Sequence, residues 1–194
     1  GYQKVAANVI AMDGTNWFSS FTIDKGSKEG IKKGMNVIAG SGLVGIVTDV
    51  GPNFAKVRSI IDDSSNVSSM VLTTKDNFNV GGSLKSMNQD KVLPFTELRD
   101  EDDKVKVGDP VVTSYVSDQY QEGILIGYIA SIEKNANNLT KSGTITPVVD
   151  FQHLREVLVI TTLKDTGEKE LSSQKASDTQ AETQDNTETQ KSQE

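Results

Sequence analysis

The chain has 194 residues, no cysteine, and a formal net charge of -7. The lack of cysteine excludes thiolate catalysis, cysteine zinc sites and disulfide bonds, and the negative charge argues against a nucleic-acid partner. No apolar run approaches the roughly 20 residues that span a bilayer, and the chain begins at Gly1 rather than Met. We therefore expect an excised soluble portion whose membrane anchor lies outside this sequence.

Short β-branched and aromatic runs, each bounded by Gly, Asn, Asp or Pro, follow one another along most of the chain, and none sustains a helical period. They predict twelve strands and an all-β sandwich or barrel arrangement. In chain order the predicted strands cover residues 5–11, 17–23, 36–39, 43–50, 55–60, 66–74, 79–86, 91–98, 110–114, 124–132, 143–151 and 156–162.

The composition changes after Thr162. Residues 163–194 are rich in Ser, Thr, Gln, Asp and Glu and contain no aromatic residue, Ile or Val. Such a segment cannot bury enough apolar surface to offset the entropy cost of ordering it. We predict a disordered acidic tail that acts either as a tether or simply as a solvated terminus.

A glycine-punctuated apolar run at residues 40–50, GSGLVGIVTDV, has a counterpart at residues 122–132, EGILIGYIASI. Sparse matches occur in the same order on both sides of these runs, and each strand of the first half falls opposite a strand of the second. The pattern predicts an internal duplication that builds two six-stranded β-barrels. The matched pairs include Val5 with Val80, Met12 with Met87, Phe21 with Phe95, Gly34 with Gly108, Val37 with Val111, Asp62 with Asp150 and Val71 with Val159.

Four glycines of these runs, Gly42, Gly45, Gly123 and Gly127, are interpreted as structural. Glycine inside a barrel strand marks a bend, a bulge or a close backbone approach. The second pair is spaced one residue wider than the first, which is what a β-bulge would add. A phosphate-binding loop is disfavoured, because no glycine-rich phosphate motif opens a helix here.

Two matching polar segments, residues 24–34 and 99–108, follow the second strand of each repeat. Both are long enough to cross from one barrel to the other. Residues 74–77, TKDN, are instead typical of a hairpin turn. These features predict that the chain leaves the first barrel and later returns to it.

The predicted first barrel is therefore discontinuous, formed by residues 1–33 and 99–162. A second barrel of residues 34–98 is inserted into it, with the two opening hairpins exchanged between the repeats. Tandem barrels of residues 1–75 and 76–162 are the alternative.

Several motifs in order identify a family. They are NVIAMDGTNWFSSFTIDKGSKEGIKKGMNVI, GLVGIV, GDPVVTS, EGILIG, TPVVDF and VLVI. Together they resemble the extracytoplasmic domain of the rod shape-determining protein MreC family, over nearly all of the folded part. One departure lies after GDPVVTS, where the family usually has a glycine and then an aromatic residue followed by proline. This chain has Tyr115 and, later, Tyr120 with Gln121.

The resemblance implies two β-barrels distantly similar to chymotrypsin-like proteases but without their catalytic residues. It implies a bacterial protein at the outer face of the cell membrane, attached through an N-terminal helix and self-associating through a coiled coil, both outside this sequence. It also implies a non-catalytic scaffold of the cell-elongation machinery that organises peptidoglycan synthesis. The implied partners are penicillin-binding proteins, MreD and other elongation components.

An enzyme is the rival interpretation, and it depends on one histidine. A serine hydrolase needs Ser, His and a carboxylate together, and His153 is the single histidine of the chain. The nearest nucleophile pattern, GSG at residues 40–42, lacks the strand-to-helix context of a hydrolase elbow. We therefore predict no catalytic residues and interpret His153 as a surface residue.

Metal and glycan binding are also considered. The carboxylates Asp62, Asp63 and those of residues 99–104 lack the alternating ligands of a calcium loop and are interpreted as solvated turns. Trp17, the one tryptophan, lies in an apolar strand pattern and is predicted to be a core residue rather than a glycan platform. No cofactor or metal site is predicted, and a peptidoglycan-binding module stays an alternative.

The predicted partner-binding residues are Tyr115 and Tyr120. They lie in residues 114–123, one of two loops, with residues 133–144, that are longer in the second repeat than in the first. Extra loop length on a rigid barrel is a common place for recognition, and tyrosine is enriched at binding hot spots. The alternative is that both rings pack across the junction of the barrels.

Overall fold

A computed structural model describes residues 2–14 and 17–164 of the chain. Within them it contains twelve strands, one α-helix and one short 3-10 helix at Ser27–Glu29. The strands are β1 (Lys4–Met12), β2 (Ser20–Ile23), β3 (Asn36–Ala39), β4 (Gly42–Val50), β5 (Ala55–Ser59), β6 (Asn66–Val71), β7 (Asn77–Gly81), β8 (Leu93–Leu98), β9 (Pro110–Thr113), β10 (Leu125–Lys134), β11 (Lys141–Pro147) and β12 (Glu156–Ile160); the helix is α1 (Leu84–Asp90).

Each of the twelve predicted strands has a counterpart in the structure, so the all-β fold class is confirmed. The helix α1 corrects one detail, because the sequence predicted a strand over residues 79–86. Ser83 caps α1 through its Oγ, which accepts a hydrogen bond from the backbone N–H of Ser86 at 3.1 Å. Only Met87 of α1 is buried, so the helix has too few apolar positions to show a helical period.

The first barrel is a closed ring of β1, β2, β5, β4, β3 and β12, all antiparallel. The strand that closes this ring, β12, comes from the C-terminal end of the described chain. Lys4 at the start of β1 pairs with Ile160 at the end of β12. The second barrel is a closed ring of β7, β8, β11, β10, β9 and β6. The two-barrel prediction is therefore confirmed.

The two rings have the same order, and this order reveals how the duplication is built. The strands β1 to β5 occupy the places that β7 to β11 occupy in the second ring. The sixth place is filled by β12 in the first barrel and by β6 in the second. Each repeat therefore gives its sixth strand to the other repeat's barrel.

This exchange corrects the predicted domain bounds. The first barrel uses residues 4–59 and 156–160, and the second uses residues 66–147. Along the chain the second barrel lies between the two parts of the first, but the exchanged element is the sixth strand and not the opening hairpin. The strand β2 forms its ladders only with β1 and β5, which contradicts the predicted first barrel of residues 1–33 and 99–162. The alternative tandem split of residues 1–75 and 76–162 fails for a different reason, because β12 completes the first barrel and β6 completes the second.

The two polar segments predicted to cross between barrels each stay within one barrel, for a local reason. Residues 24–34 fold back on themselves around the 3-10 helix, where the N–H of Ile31 donates to the carbonyl of Gly26 at 3.2 Å. Residues 99–108 wrap around Asp100, whose carboxylate accepts from the backbone N–H groups of Lys104 and Val105. The chain crosses instead after β5 and after β11. The β6–β7 turn covers residues 72–76, which overlaps the turn predicted at residues 74–77.

The barrels join directly. A single parallel pair links Gly42 of β4 to Leu125 of β10. On another side, the N–H of Phe18 donates to the carbonyl of Phe151, in the connection from β11 to β12, at 2.9 Å. One continuous set of buried apolar side chains runs through both barrels, including Phe21 in the first and Phe95 in the second. The predicted tail falls almost entirely outside the described residues, since only Leu163 and Lys164 of it are described.

Candidate partner-binding surface

Gly45 and Gly127 occupy equivalent places in the two barrels, on β4 and β10. A Cβ added at Gly45 would lie 2.1 Å from the carbonyl oxygen of Arg58, and one at Gly127 would lie 2.0 Å from that of Thr146. Both distances are shorter than any real contact of a methyl group. Each glycine therefore lets a neighbouring strand approach closely, and both strands have a register shift just before it.

Gly42 and Gly123 are not equivalent, although they were aligned in the sequence. Gly42 lies within β4, where an added Cβ would meet the side chains of Val148 and Val149. Gly123 lies in the turn before β10 and has a φ of +80°, a left-handed conformation that favours glycine. The wider spacing of the second pair therefore reflects a turn and not an extra bulge.

Residues 114–124 connect β9 to β10 and include both predicted tyrosines. The hydroxyl of Thr113 donates to the carbonyl of Gln121 at 2.5 Å, which holds the base of this loop together. The buried side chain of Asn36, on β3 of the other barrel, donates to the carbonyl of Gln119 at 2.9 Å and accepts from the N–H of Gln121 at 2.8 Å. The loop is thereby fastened to the first barrel.

Tyr120 points into this junction and is only 2% exposed. Burial raises the pKa of its hydroxyl to about 12, while the nearby charge of Arg58 acts in the lowering direction. A buried ring cannot be offered to a partner, so the prediction of Tyr120 as a partner-binding residue needs correction. Tyr120 lies instead at the barrel junction, as the alternative interpretation of this residue has it.

Tyr115 differs from Tyr120 although both lie in the same loop. Its side chain is 53% exposed, and that of the next residue, Val116, is 58% exposed. The N–H of Val116 donates to Oγ of Ser114, which fixes the backbone beneath the pair. Two adjacent apolar side chains on a fastened loop form a small ready-made contact surface.

A second exposed apolar row, not predicted from the sequence, lies on the outer wall of the second barrel. Pro110 of β9 pairs with Tyr128 of β10, and the N–H of Leu72, just after β6, donates to the carbonyl of Pro110. Directly opposed residues share one face of a sheet, so these three side chains lie in a row. Leu72 and Tyr128 are both exposed. Alternation with buried neighbours along β10 was the signal that could have revealed Tyr128.

The long β10–β11 hairpin carries the other predicted loop. Its tip is closed by Asn137, whose Oδ1 accepts from the backbone N–H groups of Leu139 and Thr140. Leu139 is highly exposed at the tip. It stands alone there, and single exposed apolar residues are ordinary on protein surfaces.

His153 lies on the surface in the connection from β11 to β12. Its Nδ1 is 2.8 Å from Oδ2 of Asp150, and both side chains are well exposed. The hydrogen bond from His153 lowers the pKa of Asp150. Within residues 2–14 and 17–164, no serine or threonine hydroxyl bonds to the His153 ring.

Three of the candidate metal-binding carboxylates, Asp62, Asp63 and Asp100, serve local structure. Asp62 accepts from the N–H and hydroxyl of Ser64, and Asp63 accepts from the N–H of Leu84 at the start of α1. Asp100 is buried rather than solvated, which corrects the interpretation of that turn. Among the residues that the structure describes, no three His, Asp or Glu side chains gather as metal ligands would.

Trp17 is 5% exposed, as a core residue is. Its indole Nε1–H donates to Oδ1 of Asn88 on α1, which ties the first barrel to the helix of the second. The ring is therefore not available as a stacking platform. In the described part of the chain no helix has both the length and the apolarity needed to cross a membrane.

These features define a class of protein: a pair of closed six-stranded β-barrels with an interlocked strand exchange and exposed apolar contact residues. The family model for the rod shape-determining protein MreC, barrel core, matches residues 9–161. The chain therefore belongs to the MreC family, and the resemblance stated from its motifs is confirmed.

Named relatives agree with this assignment. The cell shape-determining protein MreC of Listeria monocytogenes is 34% identical over 161 residues, covering 82% of this chain and 54% of the relative. MreC of Bacillus subtilis is 29% identical over 166 residues, covering 82% and 57%. The chain thus spans little more than half the length of these curated relatives.

Solved structures share the fold. A Listeria monocytogenes MreC structure superposes with a TM-score of 0.73 at 33% identity, covering 86% of this chain and 80% of that one. MreC in a complex between penicillin-binding protein PBP2 and MreC from Helicobacter pylori gives a TM-score of 0.60 at 11% identity, covering 82% and 100%. The second likeness concerns the fold alone.

Proposed function

We propose that this chain is a non-catalytic scaffold of the bacterial cell-shape machinery, and that it organises peptidoglycan synthesis by binding a penicillin-binding protein outside the membrane. The observation that carries the proposal is the relative of the same fold solved in complex with PBP2. Two interlocked barrels with a shared core are a rigid platform for such a contact. The whole protein, of which this chain spans a part, is proposed to sit at the extracytoplasmic face of the cell membrane.

The proposed contact is made by Tyr115 and Val116. They are exposed, adjacent and held on a loop that Asn36 fastens to the first barrel. A fastened loop loses little conformational entropy on binding, which favours affinity. An exposed tyrosine adds a large amphipathic surface of the kind found at hot spots.

A pull-down or biolayer measurement with a purified penicillin-binding protein of the source bacterium tests this contact. We expect the double variant Tyr115→Ala with Val116→Ser to weaken binding at least about tenfold, which corresponds to roughly 1.4 kcal/mol. The matched control is Tyr128→Ala, which removes a somewhat less exposed ring from the outer wall of the second barrel. If only the control variant loses binding, the proposed contact at Tyr115 and Val116 is wrong. The penicillin-binding protein would then bind the row formed by Leu72, Pro110 and Tyr128.

The absence of catalysis is tested separately with His153→Ala. The ring is exposed and contacts Asp150 only through an ion pair at the surface, so the variant should fold normally. We expect it to complement a cell-shape defect as well as the unchanged protein does. A hydrolytic rate that disappears in this variant would establish an enzyme instead.

Contacts with MreD and self-association through a coiled coil are proposed for the whole protein. The support is family membership together with the length of the relatives, of which this chain spans little more than half. Cross-linking in cells with the membrane-attached protein would test both contacts.

A further inference from the structure

Arg58, on β5, has an unusual position for a cation. Its neighbours across the sheet are Ile46 on β4 and Ser20 on β2, so its side chain starts from the outer wall of the first barrel. Its Nε atom is buried and makes no hydrogen bond within the described residues. Guanidinium N–H groups are obligatory donors, and a buried one without a partner costs free energy.

The space in front of Arg58 is a pocket of about 350 Å³. The loop of residues 114–124 forms one wall through Asp118 and Gln119, and the chain after β12 forms another through Leu163 and Lys164. The volume lies at the lower end of the range of small-ligand sites.

The charges around this pocket are mostly positive. Lys33, Arg58 and Lys164 face it with one carboxylate, Asp118, so the described lining has a net charge of about +2 although the chain as a whole is negative. Arg58 forms no ion pair with Asp118 or with any other described carboxylate. The positive charge is therefore largely uncompensated by the described protein.

We propose that the pocket at Arg58 binds an oxyanion, a phosphate or carboxylate group of a ligand from outside the described fold. The planar guanidinium can donate two parallel N–H bonds to such a group through its terminal Nη atoms, and Lys33 and Lys164 would add charge. The bound group would also touch Gln119, and so would stiffen the loop that presents Tyr115. This inference does not depend on the proposed function, because it concerns a different surface and a different ligand.

Nuclear magnetic resonance on the full ¹⁵N-labelled chain tests the proposal. Sodium phosphate and sodium succinate are titrated separately, each against sodium chloride at equal ionic strength, while the Arg58 Nε–H signal is followed. We expect a saturable shift with phosphate, succinate or both, and the tighter of the two identifies the group. A shift that chloride reproduces would overturn the proposal, since it would report only screening.

Three variants sharpen the test. Arg58→Gln should weaken binding, read from the backbone signal of Gln119, at least about tenfold, whereas Lys56→Gln should not, because Lys56 is on the same strand but outside the pocket. Asp118→Asn should tighten binding several-fold, because it removes the one described carboxylate of the lining. Unchanged affinity in both Arg58→Gln and Asp118→Asn would refute the site even if one variant is less stable.

Discussion

Nζ of Lys141, on β11, lies 2.8 Å from Oδ2 of Asp100 in the connection from β8 to β9, and both side chains are nearly buried. Asp100 also accepts from the backbone N–H groups of Lys104 and Val105 at 2.8 and 3.0 Å. The pair therefore holds the polar segment after β8 against the long β10–β11 hairpin. A buried pair of this kind is costly to break from one side, because the remaining charge keeps its burial and loses its partner.

Replacing Lys141 by Met should accordingly destabilise the protein by about 2–3 kcal/mol. The measurement is the free energy of unfolding in urea, with an unchanged m-value as a check that the transition stays the same. Lys134→Met is the control, because Lys134 reaches Asp103 at 3.7 Å in a pair whose side chains are both largely exposed. Equal losses in the two variants would show that the Asp100 contact has no special role.

The same carboxylate predicts a pH dependence. Burial of Asp100 acts to raise its pKa, but the hydrogen bonds from Lys141, Lys104 and Val105 outweigh it and lower the pKa below the ordinary value. A lowered folded-state pKa means that the stabilisation is complete above the unfolded-state pKa of about 3.9 and disappears as the pH falls through the folded-state pKa. Asp100→Asn should thus be less stable than the unchanged protein at pH 6, with the difference shrinking towards pH 2.

Unfolding curves recorded from pH 2 to pH 6 measure that difference, with exposed Asp102→Asn as the control. A constant difference between Asp100→Asn and the unchanged protein over this range would contradict the assignment.

The two barrel glycines give a paired prediction. Gly45→Ala and Gly127→Ala each place a methyl group about 2 Å from a carbonyl oxygen, so each should cost about 2–3 kcal/mol or prevent folding. Gly81→Ala is the matched control on β7, where the nearest atom, the carbonyl oxygen of Pro94, is 3.9 Å away. The measurement is the thermal midpoint of each of the three variants. A midpoint unchanged by Gly45→Ala or Gly127→Ala would contradict the prediction, because it would mean that the neighbouring strand moves away from the added methyl group at little cost.

Tyr120 and Tyr115 should separate stability from binding. Tyr120→Ala removes a buried ring at the barrel junction and should cost about 3–4 kcal/mol, whereas Tyr115→Ala should leave the thermal midpoint nearly unchanged. A similar drop in both variants would place Tyr115 in the core as well.

The raised pKa of Tyr120, about 12 from burial, adds an alkaline effect. Because the folded-state pKa exceeds the unfolded value of about 10, this contribution is complete below pH 10 and is lost as the pH rises through about 12. Tyr120→Phe keeps the ring without the ionisable hydroxyl and should resist alkaline unfolding better than the unchanged protein. Alkaline unfolding that Tyr120→Phe does not alter would exclude this tyrosine as the cause.

The strands could be predicted from the sequence because each depends on local information: β-branched runs with turn residues at their ends. The helix α1 could not, because seven residues with one buried side chain, Met87, carry no measurable period. The exchange of β6 and β12 between the barrels could not be predicted from the sequence for another reason. Both sixth strands have similar apolar patterns, so nothing local says which barrel each one joins.

The candidate surface shows the same limit. Tyr115 and Tyr120 are identical in type and five positions apart, and the sequence predicts both as partner-binding residues. Their burial differs because Asn36, from the other repeat, draws residues 119–121 onto the first barrel. Similarly, Arg58 looks in the sequence like any exposed strand cation. Only the tertiary arrangement shows its buried Nε without a partner.

The strand exchange also sets an order of assembly. All six strands of the second barrel lie within residues 66–147, so this barrel can close as soon as that stretch of chain has been made. The first barrel starts at Lys4 but stays open along one side until Ile160 arrives to pair with it. The strand β1 precedes the second barrel along the chain, yet its ladder with β12 can form only after that barrel has been made. Pairing over so many residues slows folding. During that interval the unpaired edges of β1 and β3 are the part of the chain that a chaperone would need to protect.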